Sequence, residues 1–292
     1  MKIPEKLLKR LEKLGMNENI YEQRSRKCIL SREPLALEKV PWYEHAYYIP
    51  NDFDKKDEGR TARNEQTLKA SCASVSQFVF DPVSLVPCLV LDPHKGDKIL
   101  DMCAAPGTKT FIMSFLAENG AHIVANDISR FRVMRLKSVI NKHSLSAEAT
   151  NMSGRKMPGN FEKILLDAPC SGEGMVNKRD KIFEHWSEKR VKRFSKTQKK
   201  LLLHAFDMLR PSGALVYSTC TFEPEENEDV IDALLKKRAE AELEEITVNA
   251  NHAPGFKAWN GKEYEPSMEK CMRIYPFHNN TGGFFVCRVT KK

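Results

Sequence analysis

No apolar run in this 292-residue chain approaches the roughly 20 residues that span a bilayer. The longest, such as residues 83–91, are interrupted by Ser, Pro or Cys. The first residues mix Lys and Glu with Leu, so they lack both the apolar core of a signal peptide and the acid-poor character of a transit peptide. A soluble, cytoplasmic protein with no membrane partner is expected. The eight cysteines (Cys28, Cys72, Cys88, Cys103, Cys170, Cys220, Cys271, Cys287) include no C-x-x-C pair. That spacing speaks against a zinc site, and a cytosolic setting speaks against disulfides, so no metal is expected. The default for each cysteine is a small buried hydrophobe. Internal repeats and low-complexity segments are also missing. Neither G-x-G-x-x-G nor G-x-x-x-x-G-K-[ST] occurs, which disfavours nicotinamide dinucleotides and nucleoside triphosphates.

What is present is a core-forming chain with excess positive charge. Hydrophobic residues make up 41%, enough to fill an interior. The net charge of +8 suits a polyanionic partner. Between residues 178 and 200, ten Lys and Arg stand against three acids, with Phe183, Trp186 and Phe194 interleaved. Such a tract can neutralise phosphates while its rings stack on bases. The alternative is a solvated helix face whose aromatics turn into the core.

The chain divides at about residue 72. Residues 1–72 show no regular alternation; Leu7, Leu8, Leu11 and Leu14 mark a short amphipathic helix over 2–14, and 51–64 read as an exposed loop. Residues 73–292 alternate strand and helix. Strands are expected at 98–103, 122–126, 147–151, 163–167, 214–218 and 284–289. Helices are expected at 108–118, 130–142, 195–209 and 227–241. The pattern predicts an α/β, Rossmann-like parallel sheet with helices on both faces, plus a small N-terminal domain. Ligands in such sheets lie beyond the carboxyl ends of the strands.

The first strand runs into Asp101 and then Cys103, Ala104, Ala105, Pro106, Gly107, Thr108 and Lys109. Small residues let a ligand approach the backbone, and the helix that follows offers free N–H groups to an anion. A loop with one glycine suits a carboxylate better than a pyrophosphate, which points to S-adenosyl-L-methionine. The second strand ends at Asp127, placed to accept hydrogen bonds from ribose hydroxyls; by itself it could equally cap the next helix.

Two later strands each end near a cysteine: I-L-L-D-A-P-C-S-G brings Asp167 and Cys170 to the sheet edge, and L-V-Y-S-T-C-T brings Cys220. A thiolate is a strong nucleophile. Cytosine C5 becomes enamine-like once a thiolate adds at C6, and can then attack a sulfonium methyl group. Asp167 can offset the charge that builds at N3. After transfer a base removes the C5 proton and the thiolate leaves, a release that a second cysteine can assist. Amino-group methylation would call for [DN]-P-P-[YF]; the residue after Pro169 is Cys170.

These motifs, with Glu225–Glu228 and the block containing Pro276, Thr281, Gly283, Phe284 and Phe285, resemble the Nop/Sun family of RNA cytosine-5 methyltransferases. Compact archaeal-type tRNA members are closest in size. The resemblance implies that Cys220 is the nucleophile and Cys170 promotes release. It also implies that Cys103–Lys109, Asp127, Arg132, Asn151 and Asp167 line the cofactor site. The implied partner is RNA, with tRNA favoured over rRNA, and the implied state is a monomer. Asn151 stands where the family has an Asp on the adenine amino group, and Phe80 where it has a Gln. The family's R-V-N-T-L-K segment has at most a remnant, at Arg24–Cys28. The competing readings are a non-catalytic RNA-binding factor that keeps the fold and a DNA cytosine methyltransferase, for which the tract after the P-C motif is short.

Overall fold

The computed structural model describes residues 3–22, 24–50, 78–176 and 179–292. The loop expected at 51–64, Cys72, Lys178 and the expected boundary at residue 72 lie outside them. Helix α1 (Glu5–Lys13) is followed by three short strands, β1 (Cys28–Leu30), β2 (Lys39–Val40) and β3 (Tyr43–Tyr48). They form an antiparallel sheet in the order β1-β3-β2. Next come α2 (Leu85–Leu91), β4 (Lys98–Asp101), α3 (Thr108–Leu116), β5 (His122–Asn126), α4 (Arg130–Lys142) and β6 (Ala147–Thr150). After β7 (Phe161–Asp167), helices α5 (Arg179–His185) and α6 (Glu188–Asp207) lead to β8 (Leu209–Thr219) and α7 (Glu228–Leu235). Short strands follow: β9 (Ala241–Glu244), β10 (Ala253–Pro254), the hairpin β11 (Ala258–Trp259) and β12 (Lys262–Glu263), and β13 (Met272–Ile274). The single turn α8 (Pro276–Asn279) and strand β14 (Phe284–Lys291) close the described chain.

One sheet organises the molecule, in the order β10-β13-β14-β8-β7-β4-β5-β6, with β9 on β14. Strands β6, β5, β4, β7 and β8 run parallel. The expected parallel sheet is thus extended by an antiparallel end, because β13 and β14 are joined by a short connection that cannot carry a crossover. Alternate side chains face opposite layers. Ile99, Ile123, Leu165 and Val216 pack with α2 and α3, whereas Leu100, Ile164, Leu166 and Leu215 pack with α6 and α7.

Several bounds differ from expectation. Helix α6 starts seven residues early because Ser187 caps it, accepting from Arg190 N at 3.2 Å. Helix α7 stops at Leu235, and Ala241 already belongs to β9. Helix α1 buries Leu7 and Leu11, as their spacing implies, and packs on Val176, Ile182, Phe183, Trp186 and Phe222. Phe183 and Trp186 therefore belong to the core rather than to a nucleic-acid face, and only Phe194 of that trio is half-exposed, beneath Arg190 and Arg193. Among the described residues, no helix is long and apolar enough to cross a membrane.

Candidate active site

The parallel pairing of β7 and β8 sets Asp167 opposite Ser218. Cys170 lies three residues past the first and Cys220 two past the second, so the two thiols converge from loops 50 residues apart; their Sγ atoms are 3.2 Å apart. Ala168 N donates to Ser218 O at 2.8 Å and holds the loops in step. The hydrogen bond with Cys220, together with burial, holds the Cys170 thiol well above its usual range, so Cys170 keeps its proton. The remaining buried cysteines Cys28, Cys88, Cys271 and Cys287 match the default reading.

A cavity of about 280 Å³ opens beside Cys220. Asp101, Cys103, Ala104, Ala105, Pro106, Thr108, Lys109 and Asp167 line its sheet side, and Asp81, Lys27, Gly174, Met175 and Gly282–Phe284 the other. Cys170 is not in the wall. Gly107 has φ +114°, and a Cβ there would crowd Leu136 and Val139 at 3.2 Å, so the turn into α3 needs glycine. No side chain caps α3, which leaves its first N–H groups to a ligand.

Charge in the cavity is paired unevenly. Lys109 Nζ lies 2.8 Å from Asp167 Oδ2, and Ser218 Oγ donates to Asp167 Oδ1 at 3.0 Å. Burial alone would lower the Lys109 ammonium, but the Asp167 charge outweighs it and the net shift is upward. Asp101 is buried and raised to about 7, chiefly by desolvation, while Thr110 Oγ1 at 2.7 Å pulls it back. Its Oδ1 has no hydrogen-bond partner. Burial also raises the Cys103 thiol.

Asp127, Arg132 and Asn151 lie outside the lining of this cavity and form a neighbouring group. Asp127 Oδ1 accepts from Ser129 N at 2.9 Å in the turn before α4, but the N-cap of α4 is Ser129, whose side chain accepts from Arg132 N, so Asp127 is not the cap that competed with ribose binding. Its buried Oδ2 lies 3.1 Å from Arg132 Nη1, close enough for an ion pair but without hydrogen-bonding alignment, and remains an unsatisfied acceptor. Arg132 also donates to Ala105 O. Asn151 Nδ2 donates to Asp127 O at 2.8 Å. Two orphaned carboxylate oxygens, uncapped helix N–H groups and a small-residue wall fit an amino acid and a diol, the two ends of S-adenosylmethionine.

Behind the cysteines lies a buried polar network that joins Glu226, from the Glu225–Glu228 motif, to Glu173, to which no motif assigns a role. Ser171 Oγ donates to Glu173 Oε2 at 2.9 Å and is also in hydrogen-bond contact with Glu226 Oε1, and Thr221 Oγ1 donates to Glu173. Trp186 Nε1 also donates to Glu173, and Gln198 Nε2 ties Glu226 Oε2 to Pro169 O. The residues that follow each cysteine thus share one pair of carboxyls. Burial raises Glu173, and raises Glu226 to about 9. Farther out, Arg10 of α1 binds Glu223 and Glu225. The Glu225–Glu228 block reads as a family-like motif, and nothing in its local sequence marks Glu226 and Glu228 as buried.

Five parallel strands extended by antiparallel β14 and β13, with a small-residue loop after β4, define a Rossmann-like methyltransferase fold. The chain belongs to the family described as 16S rRNA methyltransferase RsmB/F, which it matches over residues 88–290; the resemblance to Nop/Sun proteins drawn from its motifs holds. It is 35% identical over 266 residues to the tRNA (cytosine(49)-C(5))-methyltransferase of Pyrococcus abyssi, covering 90% of this chain and 82% of that protein. It is 39% identical over 219 residues to the human 28S rRNA (cytosine(4447)-C(5))-methyltransferase, covering 71% of this chain but only 26% of that protein. Among solved structures, NSun6 from Pyrococcus horikoshii with SFG superposes with a TM-score of 0.76 at 22% identity, covering 99% of this chain and 98% of that one.

Proposed function

We propose that this protein methylates C5 of cytosine in RNA, with tRNA as the substrate class, through a covalent bond between Cys220 and cytosine C6. The observation that carries the reading is the meeting of two thiols at 3.2 Å, only one of which, Cys220, faces the cavity. Cys170, held above its usual range by the contact with Cys220 and by burial, stays outside the cavity wall, which leaves Cys220 as the attacking thiol and Cys170 as its partner.

S-adenosylmethionine supplies an electrophilic methyl group. Asp101, the α3 N-terminus and the Ala104–Pro106 wall would hold its amino-acid end, and Asp127 Oδ2 its ribose. Asn151 Nδ2 is already used, so its Oδ1 is the atom that meets the adenine amino group. The Cys220 sulfur adds to C6, and electron density moves towards N3, where the Lys109 ammonium, held by Asp167, supplies the donor that offsets it. With the cofactor bound, C5 would take its methyl group as the sulfur–methyl bond breaks, and would then lose its proton to a solvent base. The C5–C6 double bond re-forms, the S–C6 bond breaks, and the Cys170 S–H stabilises the departing sulfur. No step uses a metal.

The tRNA assignment rests on the Pyrococcus abyssi relative, aligned over most of both chains, whereas the human rRNA enzyme is aligned over a quarter of its length. The chain acts as a cytoplasmic monomer, and its N-terminal region, residues 1–72, is an RNA-contacting module that gives Lys27 to the cavity wall. Transfer of labelled methyl groups from the cofactor to cellular RNA tests the activity. Counts in tRNA from the parent, and none from Cys220→Ala, are expected. Parent protein that binds RNA but transfers nothing would favour a non-catalytic factor.

A further inference from the structure

The strongest unassigned feature is the outer face of α4. Seven large hydrophobic side chains are prominently exposed among the described residues, and four of them gather at one end of the sheet. Ile128 is 68% exposed, Phe131 and Met134 65% each, and Met152 39%. Ile128 and Met152 directly follow Asp127 and Asn151 and so flank the cofactor group, whereas Phe131 and Met134 lie one turn apart on the outer face of α4. Met152 N donates to Asn126 Oδ1 at 2.9 Å, which ties that loop to the end of β5.

Helix α4 already has a core face: Val133, Leu136 and Ile140 are buried. Phe131 and Met134 are therefore surplus to folding. They are interleaved with charge of one sign. The helix carries Arg130, Arg132, Arg135, Lys137 and Lys142 and not one acid. The Arg135 guanidinium lies 5.0 Å from the Phe131 ring centroid. A core patch for a protein partner is depleted of charge, whereas flat rings beside cations suit bases and phosphates together. Arg132, held by Asp127 and Ala105 O, anchors this face at the rim of the cofactor group.

We propose that Phe131, Met134, Arg130 and Arg135 form an RNA-docking surface separate from the basic face of α6. It takes unpaired nucleotides of the substrate, stacking a base on Phe131 and holding flanking phosphates with Arg130 and Arg135. The surface rests on the RNA reading above but not on the chemistry at Cys220.

The test uses the full chain and an unmodified tRNA transcript. Phe131→Ala is expected to raise the transcript's Kd and KM about tenfold, as loss of one stacked base does. Arg135→Gln is expected to reduce the slope of log K against log salt by about one. Both variants keep the parent's cofactor affinity and its kcat at saturating RNA. Parent values for Kd and salt slope in both variants would overturn the proposal. So would unchanged RNA affinity accompanied by loss of self-association in Phe131→Ala, which would mark an interface between copies. If the parent transfers no methyl group yet Phe131→Ala still weakens RNA binding, the catalytic reading fails and the surface stands.

Discussion

Replacing Glu226 by glutamine removes one ionisable group from behind the cysteine loops while keeping its shape. Glu226 is fully buried, accepts from Ser171 N at 3.1 Å and from Gln198 Nε2 at 2.8 Å, and touches Ser171 Oγ through Oε1. A protonated carboxyl returns a hydrogen bond to Ser171 Oγ, and a glutamine amide can do the same. Burial first, and the Glu173 charge second, raise Glu226 from the ordinary 4.5 to about 9. Above pH 4.5 the unfolded chain loses this proton; the folded chain keeps it until about pH 9. The stabilisation is therefore complete below 4.5 and declines as pH rises through the window, by at most about 1.4 kcal/mol per pH unit. Glu173 shares the network, so roughly half to all of that slope is expected, or about 1.5–3 kcal/mol between roughly pH 6 and pH 8. Glu226→Gln has no such proton to lose. Urea denaturation at both pH values should show the variant gaining that much on the parent, with unchanged m. A variant-minus-parent difference that is flat with pH, or that moves the other way, would refute the reasoning.

Other positions give sharper yes-or-no outcomes. Gly174 donates to Cys220 O at 2.9 Å, and a Cβ on it would lie 2.3 Å from Gly283 O and 2.9 Å from Cys220 O. Gly174→Ala should displace the nucleophile and lower kcat about 100-fold, with cofactor affinity kept in a titration. Arg273 is buried with Glu228, Nε to Oε1 at 2.5 Å, and Nη1 donates to Phe222 O at 3.0 Å. Glu228→Ala strands that charge and should cost about 3–5 kcal/mol in chemical denaturation. Cys170→Ala should let the covalent RNA complex accumulate, visible on a denaturing gel with unmodified transcript, while multiple-turnover transfer falls.

The parallel strands and their carboxyl ends were legible because buried strands read as apolar runs and their ligand loops follow them. Asp101, Lys109, Asp167 and Cys220 reach one cavity for that reason. The N-terminal sheet was not legible: β1 and β2 are three and two residues long, too short for alternation to register. Phe183 and Trp186 look like part of a basic face until α1, far away in sequence, packs over them. Glu173 and Glu226 are similar cases, since acids are rarely buried and only the junction of two loops encloses them. Lys27 enters the cavity from a segment with no chemical signature of its own.

The most direct measurement is trapping on RNA that contains 5-fluorocytidine, whose C5 has no proton to lose after methyl transfer. With cofactor present, a denaturing gel should show a covalent protein–RNA band for the parent and for Cys170→Ala, and none for Cys220→Ala. A band that persists in Cys220→Ala and disappears in Cys170→Ala would contradict the assignment of Cys220 as the attacking thiol.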